Sequence, residues 1–156
     1  MCAHRLAAGR SRALKILDAP DDAWNSFGGD PGALQLRIAT TVLGVFFALQ
    51  GLLWIADPVR AAAGLGMPLL DGLARSTQIG DFGAFFLTIG ATMVVGAGPG
   101  RVRLLFVPAG MLGAAAVVRT LAWGLHDSTF AGAFIAIEVA VAALLLVVAR
   151  RHDAQR

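Results

Sequence analysis

The fold class this sequence predicts is all-α and integral to a membrane: a bundle of four transmembrane helices with both termini in the cytoplasm and a short interfacial helix in the first outer loop. Three observations predict it. Four long, predominantly apolar runs cover residues 38–56, 79–98, 104–125 and 129–149, the last three each holding one charge: Asp81, Arg119 and Glu138. Each run is about 20 residues, the length that crosses a hydrocarbon core of roughly 30 Å. The composition is 57% hydrophobic and 15% charged with a mean hydropathy of +0.71, whereas soluble domains sit near about 45–50% apolar and about 25% charged. The basic residues, finally, are distributed asymmetrically about the four runs. Arg5, Arg10, Arg12, Lys15, Arg37, Arg101, Arg103, Arg150, Arg151 and Arg156 fall on one side of such a topology, and only Arg60 and Arg75 on the other. The positive-inside rule turns that bias into a cytoplasmic location for both ends.

Residues 1–33 precede the first span and read as a basic N-terminal extension, flexible or interfacial. Arg5, Arg10, Arg12 and Lys15 are followed by Asp18, Pro20, Asp21, Asp22 and a turn-rich stretch from Phe27 to Gly32. Residues 5–17 can form a short basic helix on an anionic lipid surface. The apolar core of a signal peptide is missing. Cys2 is the single cysteine, so no internal disulfide and no cysteine-based zinc or iron–sulfur site can form.

The membrane domain is expected over residues 34–151. Its first helix carries no charge from Ile38 to Ala56. Asp57-Pro58 then supplies a helix N-cap and a first-turn proline, and Gly64 and Gly66 stop the short helix that follows. Asp71 is an N-cap for a second span that begins before Ile79, which places Arg75 in its first turns and Asp81 deeper. The third and fourth helices are separated only by His126-Asp127-Ser128, so they are adjacent and antiparallel. Residues 152–156 form a cytoplasmic tail. Small residues at four-residue spacing, Gly44/Ala48, Gly80/Ala84, Ala109/Gly113 and Gly132/Ala136/Ala140, let helices approach closely.

Each helix also carries one strongly polar residue: Gln50, Asp81, Arg119 and Glu138. A charge at the bilayer centre costs about 2.5–3.5 kcal/mol on insertion scales. Counted at 1.5 Å per residue from the outer helix ends, all four lie roughly 9–15 Å deep. Arg119 suits bidentate pairing with carboxylates. An Asp81–Arg119–Glu138 cluster with Gln50 as a fourth member is therefore expected, either as structural glue or as a ligand site. Trp54, Trp123 and His126 share the faces of Gln50 and Arg119 and form its expected rim; the two tryptophans equally suit an interfacial aromatic belt.

Several chemistries are set aside. The basic residues flank apolar runs without interleaved aromatics, which argues against nucleic acid. His4, His126 and His152 are peripheral, so no span offers an imidazole to a haem. Gly80-Asp81-Phe82-Gly83 lacks the rest of a kinase signature, and no Gly-Lys-Ser/Thr follows Gly96–Gly100. No metal site and no catalytic set is expected.

The Ala56-Asp57-Pro58 turn with Gly64-Leu65-Gly66, the Gly80–Gly83 segment, Arg119 and Glu138 resemble a family of small bacterial four-helix inner-membrane proteins of unknown function, DoxX-like in layout. The resemblance covers about residues 34–151. It implies a bacterial inner-membrane location and hints at quinone-linked partners, and it assigns no reaction. On these grounds the leading expectation is a non-enzymatic accessory or interaction subunit, with a membrane-protein partner or a homo-oligomer. The alternatives are a binder or carrier of a lipid or quinone in an outer-leaflet pocket around Arg119, and a proton-coupled transporter acting as an oligomer.

Overall fold

The computed structural model describes residues 31–153. The chain divides into two units, Met1–Gln35 and Leu36–Arg156, and the packing below is that of the second. Up to residue 30 the expected extension lies outside the described residues, as do residues 154–156 of the tail. The elements are α1 Pro31–Ala56, α2 Pro58–Gly64, α3 Gly72–Gly96, a 3-10 turn Val102–Leu105, α4 Phe106–His126 and α5 Gly132–Asp153.

Four of these helical stretches are long and apolar enough to cross a membrane: α1, α3, α4 with its preceding turn, and α5 as far as Arg151. Only 28–33% of each apolar window is buried within the protein. The rest faces outward, as a helix does when its solvent is lipid rather than water. The chain is a multi-pass membrane protein by length and composition.

Helix ends follow local chemistry rather than the limits of the apolar runs. The helix α2 is capped by Asp57, whose Oδ1 accepts the Arg60 N–H at 3.1 Å, with Pro58 at its first position. At Asp71 the capping expected is not made. Its side chain instead pairs with Arg75 Nη2 at 2.7 Å, while Arg75 Nε donates to the Leu70 carbonyl at 2.8 Å. The fourth span starts at Gly132 rather than Thr129, and α4 ends on Asp127 in the left-handed region at φ 50, a conformation aspartate tolerates better than most residues. Pro108 stands in the first turn of α4, where its missing N–H breaks no helical bond.

Helices α1 and α3 approach each other closely at glycines. Thr40, Gly44, Phe47, Gly51 and Trp54 are the buried residues of α1. Their alternating spacing of four and three is that of a coiled-coil seam. Opposite them stand Gly83 and Gly90, and a Cβ on Gly90 would run into the backbone of Ala48 and Gly44. A Cβ on Gly51 would come within 2.7 Å of Leu87. Of the small-residue pairs in the sequence, Gly44/Ala48 meets a neighbouring helix here. Gly80 and Gly113 face open space, and Ala84, Ala136 and Ala140 are exposed. The seam of α3 repeats every seven residues, Gly83 to Gly90, and Gly80/Ala84 points elsewhere.

A second apolar core joins Ile89 and Met93 of α3 to Leu105, Leu112, Leu145 and Val148. A smaller cluster forms where α2 lies against the ends of α1 and α3: Ala61 and Ala62 are buried beside Trp54, with Leu65, Met67 and Phe82 around them. Gln78 fastens the returning chain to α3. Its Oε1 accepts the Leu70 N–H at 2.9 Å, and its Nε2 donates to the Pro68 carbonyl at 3.1 Å and to Met67 Sδ at 3.0 Å.

Candidate functional site: a polar cluster in an aromatic cavity

All four polar residues singled out in the sequence line one cavity of about 600 Å³. Gln50 comes from α1, Asp81 from α3, Arg119 from α4 and Glu138 from α5. Six phenylalanines complete most of the wall: Phe46, Phe47, Phe82, Phe85, Phe86 and Phe134. Gly64 and Leu65, at the end of α2, close one side. The volume is that of a small-molecule pocket, and the chemistry is too: a largely apolar surface with a few convergent polar groups.

One ion pair stands in this cavity. Arg119 Nε donates to Glu138 Oε1 at 2.8 Å. The guanidinium also lies over the Phe134 ring, 5.0 Å from its centroid, a cation–π arrangement. The Glu138 side chain is 10% exposed and the Arg119 side chain 35%. The pairing is incomplete on both sides. Glu138 Oε2 is buried and has no hydrogen-bond partner among the described residues. The Nη groups of Arg119 make no hydrogen bond among the described residues. A buried acceptor left unpaired costs about 1–3 kcal/mol, so the site holds unspent hydrogen-bonding capacity.

The expected triad needs a correction. Asp81 shares the cavity with Arg119 and Glu138 but makes no hydrogen bond or ion pair with either among the described residues, and it is exposed. Similar depth brings side chains to one level of a bundle, whereas contact also requires that their helix faces turn toward each other. Asp81 and Phe82 form a wall common to this cavity and to a second one of about 570 Å³ bounded by Met67, Leu70, Leu73, Ala74, Thr77 and Gln78.

None of the three rim residues lines the cavity. Trp54 is completely buried, stacked on Phe82 at 5.1 Å between centroids, with its Nε1 unpartnered. It is a seam residue of α1, which also removes it from an aromatic belt. Trp123 is half exposed and meets Phe130 edge-on at 5.1 Å. His126 ends α4 and is exposed.

One part of the site escaped the sequence reading. It is the phenylalanines: six of the nine in the chain line one cavity. Outside the cavity, Gln78 also went unread, because a glutamine seven residues into a helix gives no hint that the preceding loop folds back onto it. Among the described residues, no three metal-ligating side chains come together.

Compared with family models, curated proteins and solved structures, the chain matches none, so the functional reading rests on the geometry of this cavity.

Proposed function

We propose that this protein binds or carries a small amphipathic ligand, of lipid or quinone type, in the cavity around Arg119. The observation that supports the reading best is the incomplete ion pair inside an aromatic cavity. A cluster that only held helices together would satisfy its own polar groups, because unpaired ones cost stability in a low dielectric. Here Glu138 Oε2 and the Arg119 Nη groups remain available beside a large apolar space. That is the layout a ligand with one polar end and an apolar body requires.

The basic bias of the sequence supports an orientation with both termini in the cytoplasm, the polar cluster in the outer leaflet and α2 at the outer interface, and the resemblance noted above supports a bacterial inner membrane. The accessory-subunit reading keeps the outward-facing small residues of α3, α4 and α5 in its favour, but it gives no account of the open polar groups in the cavity.

The test is a cavity-filling substitution. Ala115 lines the space, and Ala115→Phe inserts a ring where the ligand body would lie. Organic extraction of the purified wild-type protein, followed by mass spectrometry, should show one amphiphile enriched over the surrounding bilayer lipids. The Ala115→Phe protein should carry at least about tenfold less of it. Wild-type extracts with the same composition as bulk membrane lipid would remove the proposal.

A further inference from the structure

We infer that the cavity selects an amphiphile with an uncharged, hydroxyl-type head group, which donates to Glu138 and accepts from Arg119, and discriminates against anionic heads. This inference rests on the ligand-binding reading above and narrows its ligand: a quinone head offers only acceptors, so within that class the hydroxyl-bearing quinol form is the one that fits.

The argument begins with Glu138 Oε2. It is buried, lies in a residue that lines the cavity, and has no partner. A carboxylate already paired with a guanidinium can only accept hydrogen bonds, so the ligand atom that satisfies it must be a donor. A hydroxyl meets that demand while keeping lone pairs for the Arg119 Nη groups, which are donors only. One hydroxyl therefore completes both halves of the open ion pair.

Charge balance points the same way. Two carboxylates, Asp81 and Glu138, face this space with one guanidinium, and Arg119 is already shared with Glu138. An anionic head would meet that excess negative charge in a low-dielectric setting, where repulsion is strong. A cationic head would satisfy Oε2 but would offer the Arg119 Nη groups no acceptor and would crowd a second positive charge against them. An uncharged ether or ester head without a hydrogen leaves Oε2 unpaired, and a site built around a hydrogen bond rejects an analogue that lacks it.

The experiment uses the full chain in lipid nanodiscs and four probes with one apolar body: para-hexylphenol, para-hexylanisole, para-hexylbenzoate and para-hexylbenzylamine. Binding is measured by equilibrium dialysis against empty nanodiscs of the same lipid, so partition into the bilayer cancels. The phenol should bind at least about tenfold more tightly than the other three, the factor expected for one hydrogen bond to a charged group. In Glu138→Gln, the amide oxygen can still accept from Arg119 Nε while an NH2 donor replaces Oε2. The preference for phenol over anisole should then fall to near unity. Asp81→Asn removes a charge from an exposed residue with no partner among the described residues, so the protein should fold normally. It should narrow the discrimination against benzoate several-fold and leave the phenol-to-anisole ratio unchanged.

Equal binding of the four probes, tightest binding of the benzoate or the benzylamine, or a phenol preference that survives in Glu138→Gln would each overturn the inference while leaving a binding cavity. If no probe binds above empty nanodiscs, the ligand-binding reading falls with it. If Glu138→Gln does not fold, the wild-type ranking and the Asp81→Asn response decide the question.

Discussion

Glu138 and Arg119 carry the polar chemistry of the molecule, and their unequal burial sets what each substitution should cost. Removing one partner of a fully buried pair costs about 3–5 kcal/mol, and exposed pairs are worth about 0–1 kcal/mol. With Arg119 35% exposed, Glu138→Ala should fall between these, at about 2–3 kcal/mol, read from unfolding in mixed detergent micelles. An unchanged midpoint would show that the pair contributes nothing to stability. Arg119→Lys keeps the charge but gives up the planar guanidinium above Phe134. It should cost about 1 kcal/mol or less and weaken ligand retention more than folding, which the same unfolding assay and the extraction assay separate. The charged pair was legible in the sequence because a charge in an apolar run stands out against its surroundings. The place of Asp81 was less so: counting residues gives depth along a helix, and the rotation that would carry its carboxylate to Arg119 is set by packing on the opposite face.

At the scale of elements, the four spans were readable from length and hydropathy, and α2 from the Asp57-Pro58 cap and the glycines after it. The interfaces between spans were readable only in part. Gly44/Ala48 and Gly80/Ala84 follow the same four-residue rule, yet the first meets a helix and the second does not. Local spacing says which residues share a face and leaves open which face meets a neighbour. Trp54 shows the converse. Its position near a helix end suggested an interfacial residue, whereas the spacing from Gly44 through Phe47 and Gly51 put it on the buried seam. The close approach at Gly90 yields a prediction of its own. Gly90→Ala adds a methyl group against backbone atoms of α1, which cannot swing aside as a side chain would. Overpacking of this kind costs about 1–3 kcal/mol. Gly80→Ala, at an open position, should be neutral or slightly stabilising through its gain in helix propensity. Parallel thermal unfolding of the two variants checks the contrast, and equal midpoints would contradict the seam.

At the scale of the whole molecule, the two polar devices stand beside adjoining cavities that share Asp81 and Phe82 of α3. Gln78, one helical turn before Asp81 and Phe82, holds the returning loop, and the Arg119–Glu138 pair lies in the larger cavity that the same two residues line. The pair itself spans 19 residues of sequence, and only residues 127–131 separate α4 from α5. This short connection bears on biogenesis. A lone arginine reaching the bilayer interior meets an insertion penalty of about 2.5–3.5 kcal/mol, but here its counter-ion follows within the same helical hairpin. The two charges can therefore partition from the translocon as a neutral unit, with neither exposed singly to lipid. A chain ended after residue 127 should insert α4 poorly in a glycosylation-mapping assay, extension through α5 should restore insertion, and Arg119→Leu should make the shorter chain insert without its partner. Efficient insertion of the short wild-type chain would show that each charge enters the membrane on its own.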